Sequence, residues 1–286
     1  MRYYRLDGDT GTRLVAEDGG DTYDLTAAAP AVDSLTALAR RSGGDLDAAA
    51  AELLDDAPTV AAAALDDGAL RPVVAEEVWA AGVTYEISEQ AREEESTMPE
   101  MYLDVYSAER PEIFFKATPS RTVGPGDGAG IRADSDWDVP EPELGIVLHR
   151  GETVGYTVGN DMSSRDIEGQ NPLYLPQAKV YDRCCAVGPC VASPDTVGDP
   201  HDLEMSIAIE RGDEAVFEDA TTTGEMARTC EELVGYLSRH NPLPETAVLL
   251  TGTSLVPPDE FTLRAGDAVT IDIEAIGTLR NTVVEV

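Results

Sequence analysis

Lysine is almost absent from this sequence. Among 286 residues there are 20 basic side chains, and only Lys116 and Lys179 are lysines. Asp and Glu number 55, which gives a formal net charge of −35 at pH 7. A charge of this sign repels nucleic acid and anionic membrane surfaces, so neither is an expected partner. The acids are spread along the chain, and this pattern is typical of a protein adapted to molar salt, where charge repulsion is screened within about 3 Å.

Long apolar runs and cysteine are also scarce. No stretch of ~18 consecutive apolar residues occurs, and the first residues lack the apolar core of a signal peptide. The chain has four cysteines, Cys184, Cys185, Cys190 and Cys230, whose spacing fits no metal site. We therefore expect a cytoplasmic protein whose cysteines are small buried thiols in a reducing compartment.

The patterning of the remaining residues predicts two domains of the α+β class. Residues 1–26 alternate β-prone pieces with glycine turns, and residues 34–41 and 45–54 carry Leu and Ala at helical spacing behind good N-cap residues. We assign residues 1–72 to a small N-terminal α+β accessory domain. Residues 73–286 contain many short strands, few helices and no βαβ alternation, which favours a mixed β roll or sandwich.

Several segments of the larger domain have more specific predictions. Residues 79–85 should form a strand that runs into a loop, residues 113–116 a buried strand, and residues 229–240 an amphipathic helix. Residues 124–130 are too rich in turn residues for a strand, and they lack the ending of a phosphate-binding loop. Residues 171–179 contain two prolines and read as a loop that walls or covers a pocket.

Two closely spaced acidic residues precede the apolar run at residues 144–148. Glu141 and Glu143 are two apart, so their carboxylates leave the same face of a strand. A three-residue hairpin loop at 150–152 would place Glu141 opposite Asp161 and Glu143 opposite Gly159. Three oxygen ligands without His or Cys would suit Mg²⁺ or Mn²⁺. The alternative is that these are solvated acids in a very acidic protein.

A set of motifs resembles the fumarylacetoacetate hydrolase family in order and spacing, over about residues 75–286. The motifs are Glu141-Pro142-Glu143-Leu144-Gly145, Gly155-Tyr156-Thr157, Asn160-Asp161-Met162-Ser163-Ser164-Arg165-Asp166, Lys179, Gly188-Pro189, Thr251-Gly252-Thr253 and Gly277-Thr278-Leu279. The resemblance implies the family's catalytic fold for residues 73–286. It also assigns Glu141, Glu143 and Asp161 to a Mg²⁺ ion, with Mn²⁺ as a substitute.

The family contains hydrolases, decarboxylases, isomerases and sugar-acid dehydratases. Its hydrolases carry a His and a Glu that activate water, and here Ser88 and Ala91 stand at the matching positions. Glu89 is a nearby acid that could substitute. Residues 79–86, 110–119 and 171–179 resemble the dehydratases instead. The resemblance thus implies a hydro-lyase that converts a 2-keto-3-deoxypentonate, of arabinonate or xylonate type, to 2,5-dioxopentanoate in oxidative pentose degradation.

Dehydration of such a substrate needs a base near C3 and an acid near the C4 hydroxyl. Lys179 is the candidate base, since burial and a nearby cation can lower the pKa of a lysine. Glu112 is the candidate acid, since a buried Glu can stay protonated.

Four further residues are candidates for holding the substrate. Thr84, Tyr85 and Thr253 could hold its hydroxyls and carboxylate, or be ordinary polar groups of loops. Lys116 could face the substrate carboxylate as a second cation, or be an ion-pair partner of the acidic cluster. Arg165 and Asp166 are expected to form a structural pair that braces the loop of Asp161.

Other functions remain open from the sequence. The alternative enzyme is an acylpyruvate-type hydrolase or a decarboxylase, and a non-catalytic protein whose acidic surface binds a basic partner is a third possibility. We expect a homo-oligomer, either a dimer or a tetramer. The sequence does not distinguish a pentonate from a hexonate substrate, nor the configuration at C4.

Overall fold

The computed structural model of the protein describes residues 1–8, 11–85, 105 and 108–286, with the side chains of residues 66 and 67 excepted. Residues 86–95, a charged stretch for which the sequence predicts a helix, lie outside this part of the chain. The described strands are β1 Arg2–Leu6, β2 Arg13–Asp18, β3 Asp21–Asp24, β4 Ala69–Leu70, β5 Glu77–Gly82, β6 Glu112–Ala117, β7 Thr122–Val123, β8 Gly128–Ile131, β9 Asp138–Val139, β10 Pro142–His149, β11 Glu152–Asp161, β12 Ser163–Ser164, β13 Cys185–Ala192, β14 Glu204–Arg211, β15 Glu214–Thr222, β16 Thr246–Leu250, β17 Ala268–Ile273 and β18 Gly277–Glu285.

The described helices are short. They are α1 Leu25–Ala28, α2 Leu35–Ser42, α3 Leu46–Leu54, α4 Ala63–Gly68, α5 Arg165–Gln170, α6 Leu175–Lys179, α7 Pro194–Val197 and α8 Cys230–Ser238, with 3₁₀ turns at Pro172–Tyr174 and Thr223–Glu225. None of these helices is long and apolar enough to cross a membrane.

N-cap side chains explain where three of these helices begin, and those of α2 and α3 were predicted. The side chains of Ser34, Asp45 and Thr229 each accept a hydrogen bond from a backbone N–H in the first turn of α2, α3 and α8. Helix α2 ends at Gly43, whose φ of 69° is the left-handed conformation typical of a helix C-terminus.

Two sheets pack together and bury the core between them. The larger has eleven strands in the order β3-β2-β1-β13-β11-β10-β16-β5-β6, with β4 beside β1 and β7 beside β13. The smaller has five strands in the order β15-β14-β17-β18-β8, and its β17 and β18 pack against β11. This architecture confirms the predicted α+β class with a mixed β sandwich.

The N-terminal segment joins the larger sheet directly. Strand β1 pairs antiparallel with β13 through Arg2 opposite Ala192 and Tyr3 opposite Val191. The meander β1-β2-β3 and helices α2 and α3 form as predicted. The division into two domains at residue 72 stays a prediction, and the shared sheet shows that the two segments have a common core.

Two segment predictions were wrong. Residues Gly128–Ile131 form β8, which pairs parallel with β18 at the edge of the smaller sheet, where a strand needs partners on one side only. Residues 171–179 are not a loop, because a 3₁₀ turn and helix α6 occupy them. Each has a proline in its first turn. Backbone N–H groups in the first turn of a helix have no hydrogen-bond partner within the helix, so the N–H that proline lacks costs nothing there.

Candidate active site

The centre of the site is the antiparallel pair β10 and β11, in the middle of the larger sheet. Glu143 lies opposite Gly159, and the backbone N–H of Asp161 donates to the carbonyl of Glu141 at 2.9 Å. This is the predicted register. The predicted three-residue loop was wrong: the turn has two residues, Arg150 and Gly151, both with positive φ. A bulge after Val147 adds one residue to β11 and restores the register.

The register brings three carboxylates together. One oxygen each from Glu141, Glu143 and Asp161 lies within 4.8 Å of the other two, and all three side chains are buried. Burial raises the pKa of Glu143 well above its ordinary value, and the charges of Asp161 and Glu141 raise it further. Three buried carboxylates at this separation repel one another, and nearby positive charge relieves that repulsion. The donor set is all oxygen, which fits Mg²⁺ or Mn²⁺.

Lys179 is the last residue of α6, and its ammonium contacts this cluster. Its Nζ lies 2.7 Å from Glu141 Oε2, 3.4 Å from Asp161 Oδ2 and 2.6 Å from Ser163 Oγ. The side chain is 1 % exposed, so these contacts form in a medium with little water. The amine predicted as a base therefore lies directly beside the predicted cation ligands.

Lys116 in β6 also contacts this cluster, through Asp161. Its Nζ lies 2.5 Å from Asp161 Oδ1 and donates to the backbone carbonyls of Met162, at 2.8 Å, and Lys179, at 2.5 Å. Burial lowers the pKa of Lys116 and the Asp161 carboxylate raises it, with a net upward direction. Three acceptors match the three N–H groups of an ammonium, so this geometry favours the ion-pair interpretation of Lys116 over contact with the substrate.

Glu112 lies at the start of β6 on the same face as Lys116. Positions 112, 114 and 116 alternate along the strand and so share a face. The Phe114 ring lies 5.5 Å from Lys179 Nζ, and Lys116 contacts Asp161, so this face looks onto the site. Glu112 pairs with Gly82, and its carboxylate occupies the space that a side chain at position 82 would fill.

The loop after β16 holds Glu143 in place. The backbone N–H of Gly252 donates to Glu143 Oε2 at 2.5 Å, and the Thr84 hydroxyl donates to the carbonyl of Thr251 at 2.7 Å. Thr253 Oγ1 accepts from the N–H of Leu255 at 3.0 Å. The hydroxyls of Thr84 and Thr253 thus have local partners, as ordinary loop groups do.

Tyr85 differs from these two threonines. It is fully buried, and its hydroxyl has no hydrogen-bond partner within the described residues. Burial raises its pKa, and the negative charge of Glu143 raises it further. A buried hydroxyl without a partner is costly, and Tyr85 is the candidate substrate-binding residue whose buried hydroxyl has no hydrogen-bond partner within the described residues.

Arg165 is a site residue that the sequence reasoning placed wrongly. It was expected to pair with Asp166, but Asp166 accepts from Ser164 at 2.7 Å and Ser135 at 2.8 Å. Arg165 is 4 % exposed and forms an ion pair with Glu141 at 3.0 Å. Its position four residues after Asp161, in a chain with few cations, was the available signal. Ser88, Glu89 and Ala91 lie outside the described residues.

Comparison with known proteins agrees with this architecture. The profile of the family described as fumarylacetoacetate (FAA) hydrolase C-terminal matches residues 77–284. A Haloferax volcanii protein named "Probable 2-keto-3-deoxyxylonate dehydratase" is 62 % identical over 100 % of both chains. The 2-dehydro-3-deoxy-D-arabinonate dehydratase of Saccharolobus solfataricus is 44 % identical over 73 % of this chain and 72 % of its own.

A solved structure resembles the chain over its whole length. It is described as 2-keto-3-deoxy-D-arabinonate dehydratase complexed with magnesium and 2,5-dioxopentanoate, and it covers 100 % of this chain and 99 % of its own at 34 % identity and a TM-score of 0.86. The motifs, the profile match and these relatives lead to one conclusion: the chain belongs to the fumarylacetoacetate hydrolase family.

Proposed function

We propose that this chain is a Mg²⁺-dependent dehydratase of 2-keto-3-deoxypentonates, a hydro-lyase that forms 2,5-dioxopentanoate. The observation that carries the proposal is the contact of a buried amine, Lys179, with a buried trio of carboxylates. The relatives named as dehydratases, one 62 % identical along the whole chain, support the same substrate class. Mn²⁺ is the expected substitute ion.

We assign each site residue a role in this reaction. Glu141, Glu143 and Asp161 hold the cation, which supplies positive charge for the carboxylate and the 2-keto oxygen of the substrate. Lys179 accepts the proton from C3. Glu112 donates a proton to the C4 hydroxyl, which leaves as water while a double bond forms between C3 and C4. Transfer of a proton from C5 to C3 then gives an enol, and its ketonisation produces the aldehyde at C5.

The substrate-binding roles are of unequal strength. Tyr85 is the best supported, because its buried hydroxyl lacks a partner within the described residues. Thr84, Thr253 and Lys116 remain proposals from the sequence, and the local partners described above favour structural roles for Thr84 and Lys116.

We also propose a compartment, a salt environment and an oligomeric state for the enzyme. All four cysteines are unpaired and buried, as expected in the reducing cytoplasm. The net charge of −35 supports work at high salt. We propose a homo-oligomer, a dimer or a tetramer, to which the exposed Leu173 and Tyr174 offer an apolar surface. A role in pentose catabolism follows from the proposed substrate.

The hydrolase alternative rests on sequence alone. It would need a water-activating pair, and Ser88 and Ala91 cannot supply the usual His and Glu. The test is to incubate the purified protein with Mg²⁺ in high salt against 2-keto-3-deoxypentonates, a 2-keto-3-deoxyhexonate and acylpyruvates, and to identify products by NMR. We expect loss of water from a pentonate. Cleavage of a carbon–carbon bond in an acylpyruvate, without dehydration, would favour the hydrolase.

A further inference from the structure

Three contacts of the Lys179 amine are described above. Two are with the proposed cation ligands Glu141 and Asp161, and the third is with the hydroxyl of Ser163. We propose that Ser163 is a positioning residue that fixes the direction of the Lys179 amine, an inference that rests on the proposed role of Lys179 as the base. Ser163 lies in β12, two residues after Asp161, which ends β11, and it is fully buried.

The hydrogen bonds of Ser163 have a defined direction. Its hydroxyl carries a single proton, which it donates to the backbone carbonyl of Asp161 at 3.0 Å. The lone pairs of Ser163 Oγ therefore face Lys179 Nζ, which donates to it at 2.6 Å. Strand β12 is itself held by pairing of Ser163 with Val139 in β9. The acceptor offered to Lys179 is thus anchored by both the main chain and the side chain.

The contact with Ser163, at 2.6 Å, sets the direction of the Lys179 amine. Without it, the acceptors at 2.7 and 3.4 Å are carboxylate oxygens of Glu141 and Asp161, which a cation would also attract. The amine would then turn toward the carboxylates.

The neighbouring serine provides a matched control. Ser164 is in the same strand and is equally buried, but its hydroxyl bonds Ser135 at 2.9 Å and Asp166 at 2.7 Å. Successive side chains of a strand point to opposite faces, which explains why the two hydroxyls have different partners. Ser163→Ala and Ser164→Ala each remove one serine hydroxyl, at neighbouring positions. Only Ser163→Ala removes a hydrogen-bond acceptor of Lys179.

The kinetic experiment compares four variants with the unaltered enzyme in Mg²⁺ and high salt. Ser163→Ala should lower kcat by roughly 10- to 100-fold, because a displaced reacting group loses much of its orientation. Its KM and Mg²⁺ affinity should stay within about threefold, since substrate and cation contacts remain. Ser164→Ala should keep kcat within about threefold of the unaltered enzyme, because Ser164 does not contact Lys179.

The variants Ser163→Thr and Ser163→Val form a second comparison. Thr and Val side chains have the same shape, so a difference in activity between the two variants is due to the hydroxyl. The Thr variant should be the more active.

A spectroscopic measurement tests the contact without any turnover. Protein labelled with ¹⁵N-lysine should give two side-chain nitrogen signals, because the chain has two lysines, and Lys179→Arg identifies which signal is lost. Ser163→Ala should shift the Lys179 signal and leave the Lys116 signal in place, whereas Ser164→Ala should move neither.

Two results would overturn the proposal: a Lys179 signal that does not move in Ser163→Ala, or equal activity of the Ser163→Thr and Ser163→Val variants. If the unaltered chain dehydrates no 2-keto-3-deoxypentonate, the proposed function fails, and the NMR signals alone decide whether Ser163 holds Lys179.

Discussion

Lys116 and Lys179 lie in one buried cluster but have different surroundings. Lys116 is enclosed by two backbone carbonyls and Asp161 Oδ1, while Lys179 contacts only side chains in the hydrogen bonds described. Arg keeps the charge of Lys but cannot give up its proton near neutral pH, and its planar head is larger. The same substitution should therefore have different effects at the two positions.

We predict that Lys179→Arg lowers kcat by roughly 10² or more, the usual contribution of a general base, and leaves the fold and metal binding in place. Deuterium exchange at C3 of the substrate measures the base step even when elimination fails. Exchange at the native rate in Lys179→Arg would exclude Lys179 as the base and make Glu112 the next residue to test.

Lys116→Arg should act on stability instead. A guanidinium overfills a fully buried position and cannot direct three N–H groups to the same three acceptors, so the free energy of unfolding should fall by about 1–3 kcal/mol. Thermal unfolding of the metal-free protein measures this effect. Native stability with a raised KM alone would instead support a substrate-binding role for Lys116.

Residue chemistry was largely readable from the sequence, and residue orientation was not. The scarcity of lysine singled out Lys116 and Lys179, and both lie at the site. That Lys116 would bind the carbonyls of Met162 and Lys179, or that Arg165 would reach Glu141, depends on how α6 packs against β6 and α5. Such contacts join residues distant in sequence and leave no local pattern.

The loop after β16 shows how an element supports the metal ligands. Gly252 has a φ of 86°, and its N–H bonds Glu143 Oε2. A side chain at this position would clash with the Thr84 hydroxyl. Gly266 has a similar φ of 94° but has open space where a side chain would go, which makes it a matched control for the backbone strain.

We predict that Gly252→Ala weakens Mg²⁺ affinity by at least about tenfold, because the loop must move away from Thr84 and release Glu143. Gly266→Ala should lower stability by about 1 kcal/mol and leave Mg²⁺ affinity unchanged. Calorimetric titration with Mg²⁺ measures both variants. Equal Mg²⁺ affinity in the two would show that the Gly252 contact does not hold Glu143.

The hairpin of β10 and β11 illustrates what a sequence shows about elements. The register was predicted from a three-residue loop at 150–152, and it matches the observed pairing of Glu143 with Gly159. The turn was predicted one residue too long, and the bulge in β11 compensated for the error. Bulges and helices such as α6 depend on neighbouring elements, and therefore short-range patterns predict them poorly.

The charge of the whole molecule leads to a prediction about salt. At −35, the folded chain repels itself, and salt screens that repulsion. The midpoint of thermal unfolding should therefore fall as KCl is lowered from molar to below a few hundred millimolar. An unfolding temperature that stays the same in dilute buffer would refute adaptation to salt.

The overall architecture was predictable to the level of its class. Frequent turns and short strands indicated a mixed β sandwich, and the structure confirms it. No local pattern indicates that β1 pairs with β13, because that pairing joins residues almost 190 positions apart.

The most direct test of the account is a titration of metal-free protein with Mg²⁺ in molar salt, in which cation binding and formation of 2,5-dioxopentanoate are followed together. We predict one Mg²⁺ site per chain, with turnover rising in proportion to its occupancy, and in Glu143→Gln we expect both curves to shift to higher Mg²⁺ concentration. Full dehydration by the metal-free protein, or activity that does not follow binding to this site, would contradict the claim that the three buried carboxylates hold the catalytic cation.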